Sequence, residues 1–178
     1  MEVIDALSTK EIMIAGNGRY IIPYHNSIAA TARLASGGRV LLKMFPVTTS
    51  AKVDAISVLN IGATSGAVIV GIYGPIAKGV YTCSGAALLV ESSLTNLTGA
   101  STFQAVTFTE KNLVPGTYYA AVEYSNPTFN YAGDASTMQA SGWFEYYDNA
   151  ASGALLATCP VVSTTSPLPN AVYVRRSD

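Results

Sequence analysis

The run AVIVGIY at residues 67–73 is apolar at every position except Gly71. Successive side chains of a β-strand point to opposite faces of its sheet, so a strand that is apolar on both faces is typical of a sheet that is covered on each side. A glycine inside such a strand indicates a bulge or the close approach of another segment. The run therefore predicts a central strand, with a bulge or close packing at Gly71.

Similar short runs rich in β-branched and aromatic residues lie on both sides of this stretch, separated by Gly, Ser, Pro and Asn. Helical periodicity is nearly absent, and this punctuation is typical of a sandwich or barrel. The fold class predicted is an all-β, single-domain, jelly-roll-like β-sandwich of about eight strands with an extended N-terminal arm. The strands are expected at residues 40–45, 53–61, 67–73, 87–91, 103–108, 117–124, 139–147 and 171–175.

The connections carry further predictions. The small residues at 62–66 predict a hairpin between the second and third strands, and Pro115-Gly116 predicts a type II turn that begins the sixth strand. Irregular loops are expected at 125–138 and 163–170. In the sixth strand the predicted core face consists of Tyr118, Ala120, Val122 and Tyr124.

The N-terminal part of the chain differs from the rest. Residues 1–20 are predicted to be a docking arm that gains its stability on another chain, and residues 21–178 to be the sandwich domain. The acidic residues Glu2, Asp5 and Glu11 do not suit a signal peptide, and no run of about 18 apolar residues would span a membrane. The protein is therefore expected to be made in a cytoplasm.

Charge is sparse in this chain. Charged residues make up 12% of the sequence, and the net charge is only −1 at pH 7. Low net charge favours association, which indicates a chain built to assemble. The ten basic residues are scattered, whereas nucleic-acid binding requires clustered Lys and Arg. Neither a nucleic acid nor a membrane is therefore expected as a partner.

The sequence holds few groups suited to catalysis. His25 is the single histidine and has no paired acid, Cys or His beside it. Carboxylates such as Glu123, Asp134 and Glu145 would have to meet in space before they formed a catalytic pair. No catalytic residue, metal site or cofactor is predicted. Cys83 and Cys159 match no metal or redox spacing, so they are expected to be free buried thiols, with a disulfide as the alternative.

The densest cluster of aromatic residues is WFEYYDN at 143–149. Alternation puts Trp143, Glu145 and Tyr147 on one face, with Phe144 and Tyr146 on the other. One face is expected in the core, and the other would display a platform suited to sugars or protein partners, or would pack within the domain or between subunits. With the loop around residues 131–134, the candidate binding residues are Trp143, Phe144, Tyr146, Tyr147, Tyr131 and Asp134.

Several motifs occur in a distinctive order: VDAISV at 53–58, GIY at 71–73, LLVE at 88–91, LVPGTYYAAV at 113–122 and VYVRR at 172–176. In this order, over residues 20–176, the chain resembles a domain of tailed-bacteriophage virion proteins, namely tail-fibre, head-fibre and capsid-decoration proteins. The resemblance implies a jelly-roll or sandwich module that forms a homotrimer in the virion.

Three functions are consistent with these features. The first is a non-enzymatic capsid decoration or cement protein, which would bind itself and the major capsid protein or another virion protein and stabilise the head shell. The second is a head-fibre or tail-fibre knob that recognises a bacterial surface glycan of the host. The third, from another class, is a cellular carbohydrate-binding module or a depolymerising enzyme.

Overall fold

The computed structural model describes residues 11–14, 18–21, 31–34, 38–60, 66–97, 102–125, 130–133, 144–149, 153–163 and 172–178. These residues contain strands, turns and no helix, which confirms the predicted all-β class. Their thirteen strands are β1 Glu11–Ile14, β2 Gly18–Ile21, β3 Thr31–Leu34, β4 Arg39–Val47, β5 Ala51–Asn60, β6 Gly66–Ile76, β7 Leu88–Glu91, β8 Thr95–Leu97, β9 Thr102–Leu113, β10 Gly116–Tyr124, β11 Asn130–Gly133, β12 Phe144–Asp148 and β13 Val172–Arg176.

The strands form two antiparallel sheets that pack as a sandwich. The seven-stranded sheet runs β1-β2-β13-β5-β9, and β11 continues from the end of β5 to β3. The six-stranded sheet runs β12-β4-β10-β6-β7, with β8 beside the start of β6. Chain neighbours β4 and β5, β5 and β6, and β9 and β10 therefore lie in opposite sheets.

That arrangement corrects two predictions. The predicted hairpin at 62–66 is wrong, because β5 pairs with β9 and β13 whereas β6 pairs with β10 and β7. A short linker of small residues allows the chain to reverse, but the burial of each strand decides which sheet it joins. The type II turn is also wrong, since Gly116 does not adopt the positive φ that its position in such a turn requires.

Each of the eight predicted strands overlaps a described strand, and the sequence missed β1, β2, β3, β8 and β11. Residues 139–143 of the seventh predicted strand and residues 164–170 of the second predicted loop lie outside the described residues. Of the predicted arm, residues 1–10 lie outside the described residues, whereas β2 pairs with β13 inside the sheet. The sheet therefore begins before residue 21, and docking of the arm on another chain stays a prediction. The predicted loop at 125–138 contains β11, which pairs with β3.

The hydrophobic core between the sheets, called here the inner core, contains the predicted core face of β10: Tyr118, Ala120, Val122 and Tyr124. The opposite face of β10 is buried as well, since Tyr119 and Ala121 belong to a second hydrophobic cluster. The six-stranded sheet is thus covered on both sides, which confirms the prediction made from residues 67–73. The second cluster is called here the outer core.

Candidate functional site

The outer core lies on the face of the six-stranded sheet that points away from its partner sheet. Two connecting segments cover this face: residues 77–87, called the loop, and residues 153–163, called the strap. Together they are the covering layer. Its buried members Cys83, Leu155 and Cys159 pack with strand residues of the sheet, namely Val40, Leu42, Met44, Ile69, Tyr73, Tyr119, Ala121 and Tyr147.

The strap joins the two edges of the six-stranded sheet. Its middle lies beside β7 and the end of the loop, where the Leu88 amide donates to the Ala157 carbonyl at 2.9 Å and the Cys159 amide to the Ala86 carbonyl at 2.8 Å. Its last residue pairs with the edge strand β12, where Ser163 and Tyr146 exchange two backbone hydrogen bonds of 2.9 and 3.0 Å. Between these contacts the strap crosses the outer face.

Gly71 marks the closest approach of strap and sheet. A Cβ added at this position would lie 2.5 Å from Leu155 Cδ1 and 2.8 Å from the Val90 carbonyl oxygen. Real Cβ atoms do not tolerate such distances, so only glycine allows Leu155 to sit this low on β6. The close packing predicted at Gly71 is confirmed.

Three glutamates fix the covering segments to the strands below. On β12, Glu145 Oε2 accepts a 2.6 Å hydrogen bond from the Cys83 amide of the loop. On β7, Glu91 Oε2 accepts a 2.9 Å bond from the Leu155 amide of the strap. On β10, Glu123 Oε2 accepts a 2.9 Å bond from Asn149 Nδ2, which also donates to the Ala154 carbonyl of the strap at 2.8 Å. Each carboxylate thus satisfies a donor on a segment that lacks a regular strand partner.

Burial sets the protonation of this region. Desolvation raises the pKa of Glu145 and of Glu123, and hydrogen bonds from Cys83 and from Asn149 offset part of the rise. Both side chains are almost fully buried. They stand on strands separated by β4, beneath the covering layer, where a substrate has no access. Asp134, the third carboxylate considered above, lies outside the described residues.

The tyrosines and thiols of the outer core are equally enclosed. The Tyr73 hydroxyl lies 2.7 Å from that of Tyr147 and donates to the Leu156 carbonyl at 2.8 Å. Burial raises the pKa of Tyr147 to about 12 and raises that of the Cys83 thiol. A buried thiol that stays protonated is a weak nucleophile. The arrangement is chemically suited to hold the layer in place.

The predicted binding residues have different surroundings. Tyr147 is 3% exposed, and its ring lies in the outer core. It therefore does not form part of an exposed binding platform. Tyr146 points to the other face, packs against the inner core and lies under the Arg39 guanidinium at 4.3 Å. Of Tyr131 and Phe144 the structure describes the backbone, in β11 and β12, whereas Trp143 and Asp134 lie outside the described residues. A binding role for these four stays a prediction.

The outer surface of the covering layer is apolar, a feature that the sequence analysis missed. Val161 is 88% exposed and Tyr81 is 65% exposed, and Val80 of the loop and Leu156 of the strap are exposed as well. Lys78 is the single charged residue in the sequence of the loop and strap. The signal available in the sequence was this shortage of charge in two segments that are not strands.

In the part of the chain that the structure describes, no group of three or more His, Cys, Asp or Glu side chains is placed to hold a metal ion. The same residues contain no helix of the length and apolarity needed to cross a membrane.

Comparison with known proteins yields no match: neither a family model nor a curated protein matches the chain. The resemblance to phage virion proteins therefore stays a prediction that rests on the motifs quoted above.

Proposed function

We propose that the protein is a non-enzymatic structural protein of a tailed-bacteriophage virion, and specifically a capsid decoration protein that binds and stabilises the head shell. The observation that carries this proposal is the strand order. The core strands run β2-β13-β5-β9 in one sheet and β4-β10-β6-β7 in the other. This order supports the jelly-roll assignment, and jelly rolls recur in viral capsid and lectin domains.

The surface supports a protein partner over a glycan. Sugar binding would use exposed aromatic rings, and of the predicted platform Tyr147 is buried and Tyr146 is half-buried beneath Arg39. Tyr81 of the loop is the exposed ring among the described side chains. The covering layer instead presents aliphatic side chains such as Val161 with little charge around them. Removing such a surface from water favours association with a second protein surface. We assign the outer surface of the covering layer to the contact with the shell.

A decoration protein acts by mass action. A partner that binds the assembled shell and not its separated subunits stabilises the shell in proportion to its occupancy. No reaction is needed, and a homotrimer on a threefold site would raise the avidity of each contact. The role therefore requires a stable fold and a fixed docking surface.

Copy number tests the proposal directly. The protein is quantified by mass spectrometry in purified particles of the phage that encodes it, against the major capsid protein. We expect about one copy per capsid subunit, or one trimer per threefold site. A ratio of a few per cent or less would overturn decoration and favour a fibre knob, and absence from the particles would overturn a virion role.

A pair of variants tests the assigned surface. Val161→Asp places a charge on the covering layer, whereas Val114→Asp places the same charge on an exposed valine of the turn between β9 and β10. Both proteins should fold, since both side chains are exposed. We expect Val161→Asp to reduce binding to undecorated shells at least tenfold and Val114→Asp to bind as the unchanged protein does. Equal binding of the two variants would contradict the assigned surface.

A further inference from the structure

The cysteines Cys83 and Cys159 belong to different segments of the covering layer, and both are buried in the outer core. Cys83 lies in the loop and Cys159 in the strap, 76 positions apart in the chain. Their positions in the fold, unlike their positions in the sequence, bring them together.

Backbone hydrogen bonds hold Cys159 against the turn that begins at Cys83. The Ala86 amide donates to the Cys83 carbonyl at 2.9 Å, which closes a turn over residues 83–86. Cys159 pairs with the far side of that turn: its amide donates to the Ala86 carbonyl and its carbonyl accepts from the Gly85 amide, both at 2.8 Å. Both cysteine side chains belong to the same buried cluster. Neighbouring backbone segments whose cysteine side chains enter one cluster are the starting condition for a disulfide.

From this placement we propose that Cys83 and Cys159 form an intrachain disulfide when the folded protein meets an oxidising environment. The bond joins loop to strap above the six-stranded sheet. In a reducing cytoplasm the same residues stay thiols, since glutathione and thioredoxin keep them reduced. The covering layer is therefore synthesised without the disulfide and can open locally. The disulfide fixes it after release from the cell.

Oxidised glutathione supplies the oxidant. One cysteine loses its proton to solvent, and its sulfur attacks a sulfur of glutathione disulfide, releasing one glutathione thiolate. The second cysteine, deprotonated in turn, attacks the protein sulfur of this mixed disulfide and releases a second glutathione. Two electrons and two protons leave the protein, and one disulfide of glutathione becomes two thiols.

Both thiols are enclosed, and burial raises the pKa of the Cys83 thiol, so the covering layer must open before the reagent can reach them. The oxidation rate should therefore follow local opening of the layer. Opening of the whole sandwich is not needed, because neither cysteine belongs to a named strand.

The test incubates the folded protein in a glutathione buffer rich in the oxidised form. The bond is located by peptide mapping without reduction, and Tm is measured before and after. We expect one intrachain Cys83–Cys159 bond, a Tm raised by several degrees, and return to the initial Tm on reduction with dithiothreitol. The Tm of the matched variants Cys83→Ala and Cys159→Ala should not change in the same buffer.

Two results would overturn the proposal. In the first, both thiols stay free in the folded protein although the same buffer oxidises them after denaturation in urea. In the second, the products are bonds between chains or stable glutathione adducts. Either result would mean that the native geometry does not support the bond.

Discussion

The inner and outer cores cover the two faces of one sheet and are built differently. The inner core consists mainly of apolar side chains from strands of both sheets, such as Phe45, Ile56 and Val122, with Lys43 buried opposite Ala120 on the same face. The outer core combines strand residues with Cys83, Leu155 and Cys159 from segments without regular structure, and it includes the buried carboxylates of Glu123 and Glu145. Strand alternation alone produces the first core, whereas the second needs hydrogen-bonded anchors to hold its cover.

The difference separates global from local stability. Opening the inner core separates the sheets, so its residues should contribute to the unfolding of the whole domain. Opening the covering layer breaks a few backbone hydrogen bonds and exposes one face of a sheet whose strands remain paired. Such a layer is expected to open at a lower free energy than the sandwich beneath it.

The largest effect is expected from shortening adjacent leucines on β4. Leu41 faces the inner core and Leu42 the outer core, and both are buried. Leu→Ala substitutions in cores reduce the free energy of unfolding by about 2–5 kcal/mol, and less where the site can collapse. We expect Leu41→Ala toward the upper end of that range and Leu42→Ala toward the lower end, measured by urea denaturation.

Limited proteolysis sharpens this contrast. Leu42→Ala should increase cleavage in the strap under conditions where the sandwich stays folded, because Leu42 belongs to the same buried cluster as Leu155 and Cys159 of the strap. Leu41→Ala should lower the global midpoint without selective cleavage there. Indistinguishable cleavage patterns would contradict the division into two cores.

A substitution at Gly71 tests how closely Leu155 of the strap packs on β6. Gly71→Ala adds a methyl group that would meet Leu155 and the Val90 carbonyl, and overpacking of this kind reduces the free energy of unfolding by about 1–3 kcal/mol. Gly116→Ala is the matched control, since its added Cβ would lie 3.6 Å from its nearest neighbours and its φ is not positive. Equal free energies of unfolding for the two variants would mean that Leu155 does not pack against Gly71 as described.

A smaller effect is expected for the tyrosine pair. Tyr147→Phe removes one of the two hydroxyls that lie 2.7 Å apart in the contact with Tyr73. The Tyr73 hydroxyl still donates its hydrogen bond to the Leu156 carbonyl. A hydrogen bond of this kind contributes about 0.5–1.5 kcal/mol to the free energy of unfolding. Tyr81→Phe, on an exposed ring of the loop, should leave the urea midpoint unchanged. A fully neutral Tyr147→Phe would mean that the hydroxyl contact adds no net stability.

The smallest effect concerns pH. Burial raises the pKa of Glu145 in the folded state, so its contribution to stability is full below about pH 4.5, its ordinary value, and is lost as pH rises through the folded pKa. Glu145→Gln removes this titration. The stability of the variant relative to the unchanged protein should therefore increase between pH 4.5 and neutrality, measured from urea midpoints.

Glu110 provides the opposite control. Hydrogen bonds from Ser177 and Lys52 lower the pKa of its carboxyl, so its contribution is present above its ordinary pKa and is lost as pH falls through the lowered one. Glu110→Gln should therefore lose stability relative to the unchanged protein as pH rises toward neutrality. Trends of the same sign in both variants would contradict the assignment of Glu145 to a desolvated site.

The sequence was sufficient where burial follows strand alternation. Residues 67–73 predicted a doubly covered strand, and alternation in β10 predicted the side chains that face the inner core. It was insufficient where long-range pairing decides. The small residues at 62–66 suit a hairpin and a crossover between sheets equally well, and the partners of β5 and β6 depend on strands far along the chain.

The candidate site was less predictable. The loop and strap have no periodicity, so no pattern predicted that they would cover a sheet face. Alternation correctly put Glu145 and Tyr147 on one face of β12, but the cover that buries them is supplied by residues 77–87 and 153–163. The contact between Cys83 and Cys159 likewise follows from the crossing of the strap, which no spacing in the sequence encodes.

Native-state hydrogen exchange tests the two-core account most directly. The amides of Cys159 and Ser163, bonded to Ala86 and Tyr146, report on the covering layer, and the amides of β10 report on the sandwich. We predict that the first pair exchanges through openings of lower free energy that are nearly insensitive to dilute urea, whereas β10 exchanges only by global unfolding. Equal free energies and equal urea dependence for both sets would contradict the account.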